Sequence, residues 1–218
     1  SMMSHDLRTP LQSISGYADL LLLDASITAE QREMISTIKS AGREMLLLMN
    51  DILGFAQLDS GKVEVRLDTV RIADAIARAE ALMRVRFNEA RIRYSRGECL
   101  PDVAAAADPD RLQQVLLNLL TNAVKFTPEG GTIQVGCRGE DDKVHVDVSD
   151  TGIGIAEENI ASIFEPFVQV HARYTPAQHG VGLGLSISRE LVRAMGGDLA
   201  VKSEFGQGST FTITLRAQ

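Results

Sequence analysis

The chain has no tryptophan, and only 5% of its 218 residues are aromatic. It has only two cysteines, Cys99 and Cys137. They match neither a metal-ligand spacing nor the density of a disulfide framework, so both are expected to be reduced thiols, as in a reducing cytosol. Lysine plus arginine total 22 against 29 acids, a net charge of −7. That lack of positive charge argues against general nucleic-acid binding, because a phosphate backbone calls for a basic surface. No apolar run reaches the roughly 18–20 residues that span a bilayer. Leu20 to Leu23 is short and flanked by Asp19 and Asp24. The first residues lack the basic and long apolar segments of a signal peptide. Ser1 before Met2 reads as a cleavage scar, so protein upstream is expected to have been removed. These absences predict a soluble cytoplasmic fragment without membrane contact of its own, and leave open a membrane anchor upstream in the full-length protein. At 44% apolar residues, it has enough core material for one large domain or two small ones.

The first sixty residues read as two helices. Leu7, Leu11, Ile14, Ala18 and Leu21 alternate spacings of four and three. Thr28 with Gln31 forms a capping-box pattern, and Met34, Ile38, Ala41, Met45, Leu48, Ile52 and Phe55 repeat the period. A sustained seven-residue period is the seam of a bundle. The short connection predicts antiparallel helices, and two chains pairing their hairpins would give a four-helix bundle. The alternative is a hairpin packed on its own downstream domain. Asp59-Ser60-Gly61-Lys62 reads as a boundary, giving domains 1–60 and 61–218.

Beyond it the pattern mixes strands and helices. Strands are expected at Val63–Leu67, Ile92–Tyr94, Val103–Ala107, Thr132–Cys137 and Val144–Val148, with a hairpin of Asp198–Ser203 and Ser209–Leu215. Helices are expected at Ile72–Phe87, after the Asp108-Pro109 cap to Lys125, near Glu157–Ile163 and over Gly184–Met195. The class is α+β, with an α/β sandwich carrying helices on one face of a mixed sheet.

Three stretches carry chemistry. Asn118, Asn122 and Lys125 share one helix face. Two amides and an ammonium could hold hydrated magnesium and a polyphosphate, although a polar helix face is more often simply solvated. Asp150-Thr151-Gly152-Ile153-Gly154-Ile155 follows a strand. The carboxylate can accept a hydrogen bond from an exocyclic amine such as adenine's, and the glycines permit close backbone approach. Gly180-Val181-Gly182-Leu183-Gly184 opens a helix, whose free N–H groups attract phosphate. Neither a Walker A lysine nor a Rossmann acid is in place.

Taken together, the stretches resemble the boxes of sensor histidine kinases. Asn118 to Thr127 is similar to the N box, Asp150 to Gly154 to the first glycine box, Phe164-Glu165-Pro166-Phe167 to the F box, and Gly180 to Gly184 to the second glycine box. Upstream, Ser4-His5-Asp6-Leu7-Arg8-Thr9-Pro10-Leu11 resembles the H box of a dimerisation and phosphotransfer domain. The five boxes occur in the family's order and cover essentially the whole chain.

The resemblance implies a dimeric four-helix bundle followed by a Bergerat-type ATP-binding fold, with ATP and Mg2+ as cofactors. It makes Asn122 the metal ligand, with Asn118 and Lys125 in the phosphate region beside Phe126. Asp150 binds the adenine amine in a pocket shaped by Gly152, Gly154 and Ile155. Gly180, Gly182, Leu183 and Gly184 form the hinge and phosphate-facing turn after a lid of about Val168–His179. Phe164 and Phe167 either anchor that lid or serve as ordinary core. His5 becomes the phosphoacceptor, with Asp6 orienting its imidazole. Arg8 either steadies the phosphoryl group or is a surface charge, and Thr9 with Asp6 matches a phosphatase arrangement. The implied partners are a second copy and the receiver domain of a response regulator.

Gyrase-like ATPases of similar site carry a glutamate four residues before the metal-binding Asn. Here Asn118 stands there, and an amide is no base at neutral pH. Two rival readings remain: a nucleotide-responsive, non-catalytic dimeric scaffold, and an ATP hydrolase of the gyrase-like group.

Overall fold

The computed structural model describes residues 2–24, 26–59, 64–169 and 182–218, without the side chains of 2–8, 43, 44, 46–48 and 50–59. Two compact units result, Ser1–Gly61 and Lys62–Gln218. Among the described residues no helix is long and apolar enough to cross a membrane.

The first unit is a hairpin of α1 (Met2–Leu23) and α2 (Ala29–Asp59). Thr28 and Gln31 close the capping box reciprocally: Gln31 N–H donates to Thr28 Oγ1 at 3.2 Å, and Thr28 N–H donates to Gln31 Oε1 at 2.8 Å. Arg32 donates to the Leu22 carbonyl at 2.8 Å, and Lys39 pairs with Asp19. Pairs that climb one helix while descending the other mark antiparallel packing. Ala18 is buried, yet Ile14, Leu21, Met34, Ile38 and Met45 remain 45–58% exposed. Much of the apolar seam is therefore uncovered in a single chain.

The second unit begins with β1 (Asp68–Arg71) and α3 (Ile72–Glu89), followed by β2 (Arg93–Arg96), β3 (Ala104–Ala107) and α4 (Pro109–Phe126). It continues with β4 (Thr132–Glu140), β5 (Lys143–Asp150), two 3-10 turns (Glu157–Asn159 and Ser162–Phe164), α5 (Gly184–Ala194), β6 (Asp198–Glu204) and β7 (Gly208–Arg216). The main sheet has the order β2-β4-β5-β7-β6, with β2 parallel to β4 and every other pairing antiparallel. β1 and β3 form a separate antiparallel pair.

The two faces of the main sheet differ as the alternation demands. Ile133, Val135, Val144, Val146, Val148, Ile213 and Leu215 are buried, and with Leu112, Val115, Leu116, Leu119 and Leu120 of α4 they form the core. The opposite face is a polar ladder. His145 pairs with Thr214 at 3.1 Å, Thr212 donates to Asp147 at 2.6 Å, and Ser149 meets Thr210 at 2.9 Å.

Three expectations are corrected. Val63, Val65 and Leu67 alternate, but the strand lies later, at Asp68–Arg71, because pairing with Ala104–Ala107 places it there; Leu67 is exposed. The helix expected near Glu157–Ile163 is instead two 3-10 turns. Ser162 donates to the Asn159 carbonyl at 3.0 Å, and the backbone bonds run to the third residue back. Cys99 and Cys137 are not free thiols but a disulfide. β2 continues beside β4 beyond its last paired residue: Gly97 N–H donates to Val135 and Cys137 N–H to the Glu98 carbonyl, each at 2.8 Å. Strand register thus joins residues 38 apart, which no local spacing rule detects.

Asp108 anchors the start of α4. Its carboxylate accepts N–H groups of Arg66, Asp110 and Arg111 at 3.0–3.1 Å, and its own N–H meets Met195 Sδ at 3.3 Å. Burial alone would raise its pKa, but the three N–H donors outweigh burial and hold it below 3.8. Its contribution to stability is therefore present above the ordinary carboxylate range and lost as pH falls through the depressed value. Asp108→Ala should destabilise the second unit by roughly 1–3 kcal/mol in denaturant melts at neutral pH. It should also flatten the pH dependence of stability below about pH 4. An unchanged midpoint would contradict the cap.

Candidate functional site

The site is built where the end of α4 meets the turn after β5. Val115, Leu116 and Leu119 face the core, which leaves Asn118, Asn122 and Lys125 half-buried on another side of the helix. Asn118 Nδ2 donates to Ser188 Oγ of α5 at 2.8 Å. A Cβ on Gly184, the first residue of α5, would stand 2.5 Å from Asn118 Oδ1. Glycine there lets the start of α5 lie against the Asn-bearing helix. Lys125 Nζ sits 5.1 Å from the centroid of the Phe126 ring. The side chain of Asn122 makes no hydrogen bond among the described residues, leaving its oxygen open to an outside partner.

The Asp150 turn closes onto this helix. Ile153 N–H donates to the Phe126 carbonyl at 3.2 Å. A Cβ at Gly152 would come within 2.5 Å of that oxygen, so no larger residue fits without displacing backbone. Asp150 accepts the Gly152 N–H at 2.8 Å. Burial raises its pKa above 3.8, against the opposing effect of N–H donors from Gly152 and Ser209. Gly154, at φ +65, packs under the Glu204 carbonyl of the β6–β7 hairpin, where a Cβ would clash. Ile155 is buried, and its N–H donates to Ser203 Oγ at 2.8 Å.

Phe167 N–H donates to the Gly182 carbonyl at 3.0 Å, tying the two flanks of residues 170–181 together. Phe164 is half-buried with Arg189 stacked 4.8 Å from its ring centroid, whereas Phe167 is 59% exposed and therefore not an ordinary core residue. Leu183 is fully buried. Gly180 and nearly all of the expected lid, Val168–His179, lie outside the described residues. His5, Asp6 and Arg8 belong to α1, with side chains outside the described set; Thr9 is exposed on the same helix. The structure thus gathers Asn118, Asn122, Lys125, Phe126, Asp150, Gly152 and Gly184 in the second unit, while His5 to Thr9 belong to the first.

Sequence reasoning missed Ser188, Ser203 and Ser209. Ser203 Oγ bonds the Gly208 carbonyl at 2.8 Å and meets Ser209 Oγ at 2.9 Å, which holds the hairpin against the Asp150 turn. Ser188 and Ser209 are buried and Ser203 is half-buried, and no short-range sequence pattern marks any of the three.

Residues 107–218 match the family described as histidine kinase-, DNA gyrase B- and HSP90-like ATPase, and residues 1–61 match the His kinase A (phospho-acceptor) domain. An uncharacterized sensor-like histidine kinase R01002 of Rhizobium meliloti is 36% identical over 216 residues, covering 98% of this chain and 41% of its own length. The chain belongs to the histidine kinases. Another member, the autoinducer 2 sensor kinase/phosphatase LuxQ of Vibrio parahaemolyticus, is 36% identical over 219 residues, covering 98% of this chain and 25% of its own. The crystal structure of full-length ShkA with AMPPNP superposes with a TM-score of 0.82 at 38% identity, covering 99% of this chain and 45% of that one. This histidine kinase chain therefore spans less than half the length of these relatives.

Burial makes the ionised Asp150 costly, so the stability tied to this group is greatest at low pH and declines as pH rises from 3.8 through the raised value. Carbon-13 NMR of the side-chain carboxyl should show a titration midpoint above 3.8 in the nucleotide-free protein. A midpoint at or below 3.8 would show that the N–H donors of Gly152 and Ser209 outweigh burial.

Proposed function

We propose that the chain is the ATP-dependent phosphotransfer core of a cytoplasmic two-component kinase. In this reading residues 1–60 are the dimerisation and phosphotransfer domain, and 61–218 bind ATP. The observation that carries it is the convergence of the Asn118–Asn122–Lys125 face with the half-buried Asp150 carboxylate, in a chain that also carries the H-box histidine.

Asp150 accepts from the adenine amine, and Gly152 and Gly154 let the base approach backbone. Lys125 and the start of α5 at Gly184 face phosphate. Among the described residues no group of three His, Cys, Asp or Glu is placed to hold a metal. The Asn122 side-chain oxygen is a ligand type that suits magnesium, which favours oxygen donors and keeps several waters, so Asn122 would hold the ion. When bound, magnesium neutralises charge on the phosphates.

A neutral His5 imidazole nitrogen attacks the γ-phosphorus. The N–P bond forms, the bridging P–O bond breaks and ADP leaves, while the imidazole N–H is held by Asp6. The phosphoryl group then passes to an aspartate of a receiver domain. Asp6 with Thr9 supplies the arrangement for positioning water to hydrolyse the partner's aspartyl phosphate to inorganic phosphate, the pairing of activities named for the LuxQ relative. The Asn118 amide, donating to Ser188, offers no base for water, which favours transfer over hydrolysis. The uncovered seam of Ile14, Leu21, Met34, Ile38 and Met45 is the surface on which a second copy pairs.

His5→Gln should abolish acid-labile labelling from radioactive ATP while nucleotide binding persists; equal labelling would overturn the assignment. Asn122→Ala should weaken magnesium-dependent ATP binding by roughly ten- to a hundredfold, read by calorimetry with and without the metal. Unchanged binding would remove Asn122 from the metal site.

A further inference from the structure

The Cys99–Cys137 bond has no part in phosphotransfer, yet its position is specific. Cys137 lies on β4 at 7% exposure, with its side chain toward the core. Cys99 lies on the continuation of β2, half-buried, between exposed Glu98 and exposed Leu100. Cys99 is thus the more exposed residue of the pair and Cys137 the shielded one. Gly97 and Gly136 bring the two strands together: a Cβ on Gly136 would stand 3.1 Å from the Glu98 carbonyl oxygen. The strands are also held by the backbone bonds at Gly97 and Cys137, so their pairing does not depend on sulfur.

The segment between the cysteines contains β3, the Asp108 cap and all of α4, with Asn118, Asn122, Lys125 and Phe126. The bond therefore closes a covalent loop around the helix assigned to nucleotide and metal. In a reducing compartment a lasting structural disulfide is rare, and those that form are usually transient and responsive to redox state.

We propose that Cys99 and Cys137 are a reversible thiol–disulfide site, opened and closed by exchange with a low-molecular-weight thiol of the glutathione class, that sets the stability of the unit carrying α4. Opening begins when an external thiolate attacks the sulfur of Cys99, the more exposed residue of the pair. A mixed disulfide forms there, the Cys99–Cys137 bond breaks, and Cys137 leaves as a thiolate that takes up a proton. A second external thiolate then attacks the mixed disulfide and releases Cys99, leaving one oxidised small disulfide. Closing is the reverse: the dithiol gives up two electrons and two protons, and one small disulfide becomes two thiols. Because the backbone pairing is independent of the bond, the reduced chain keeps its fold. What changes is the freedom of the unfolded segment and hence the melting temperature. The exchange is independent of the kinase assignment; only its consequence for ATP handling rests on that reading.

The test equilibrates the purified chain, under native conditions, with buffers of graded reduced-to-oxidised glutathione ratio, followed by acid quench, alkylation and peptide mass spectrometry. Both cysteines should be alkylated at the reducing end and joined as one 99–137 cross-link at the oxidising end, with the same curve from either direction. The oxidised form should melt roughly 5–10 °C higher. The Cys99→Ser, Cys137→Ser double variant should fold and melt at one temperature in every buffer. Thiols that stay alkylatable in oxidised glutathione would overturn the proposal. So would a bond that yields only after unfolding, cross-linking between chains, or equal melting temperatures of the two forms.

Discussion

The second unit depends on one close approach. The carbonyl of Phe126, at the last residue of α4, lies so near Gly152 that a single methyl group would collide with it. The same oxygen accepts the N–H of Ile153. This contact docks the helix bearing both asparagines onto the turn bearing the half-buried Asp150 carboxylate. Around it the β6–β7 hairpin closes from the far side, with Gly154 beneath Glu204 and Ser203 holding both Ile155 and the hairpin's own tip. Polar groups that are expensive to bury are thus fixed in place before any ligand arrives. Preorganised positioning of this kind is what phosphoryl transfer requires of a protein.

The chemistry is divided between two units. The second unit offers amides, an ammonium and a half-buried carboxylate, with Asn118 engaged to Ser188. In the proposed reading the nucleophile is His5, on a helix of the other unit, where Ile14, Leu21, Met34, Ile38 and Met45 are exposed in a single chain. An amide, Asn118, in place of a water-activating carboxylate, together with an imidazole elsewhere, suits the proposed transfer reading better than a hydrolase. Family membership and the geometry of the second unit point the same way.

Much of this was legible in the sequence because it is written in short-range patterns. The four-three spacing marked both helices of the hairpin, and Thr28 with Gln31 marked the start of the second. The strands expected at Thr132–Cys137, Val144–Val148 and Ser209–Leu215 lie within β4, β5 and β7, and Asp108-Pro109 marked α4. Long-range register was not legible. Val63 to Leu67 alternates, yet it was the partner strand at Ala104–Ala107 that decided where β1 lies. Glu157 to Ile163 has helical composition, but the Ser162 bond to the Asn159 carbonyl accompanies a break into two short turns. Cys99 meets Cys137 through parallel pairing of β2 with β4, and Ser188, Ser203 and Ser209 gain their roles only from partners distant in sequence.

The most direct test is chemical-shift mapping of the chain with a non-hydrolysable ATP analogue and magnesium. The account predicts that the largest amide and side-chain changes fall on Asn118, Asn122, Lys125, Asp150, Gly152 and Gly184. An open cleft of about 440 Å3 between α3 and β2, lined by Glu80, Arg84, Phe87, Tyr94 and Arg96, is the internal control and should be silent. Changes centred on that cleft, with the Asn122 helix and the Asp150 turn unmoved, would contradict it.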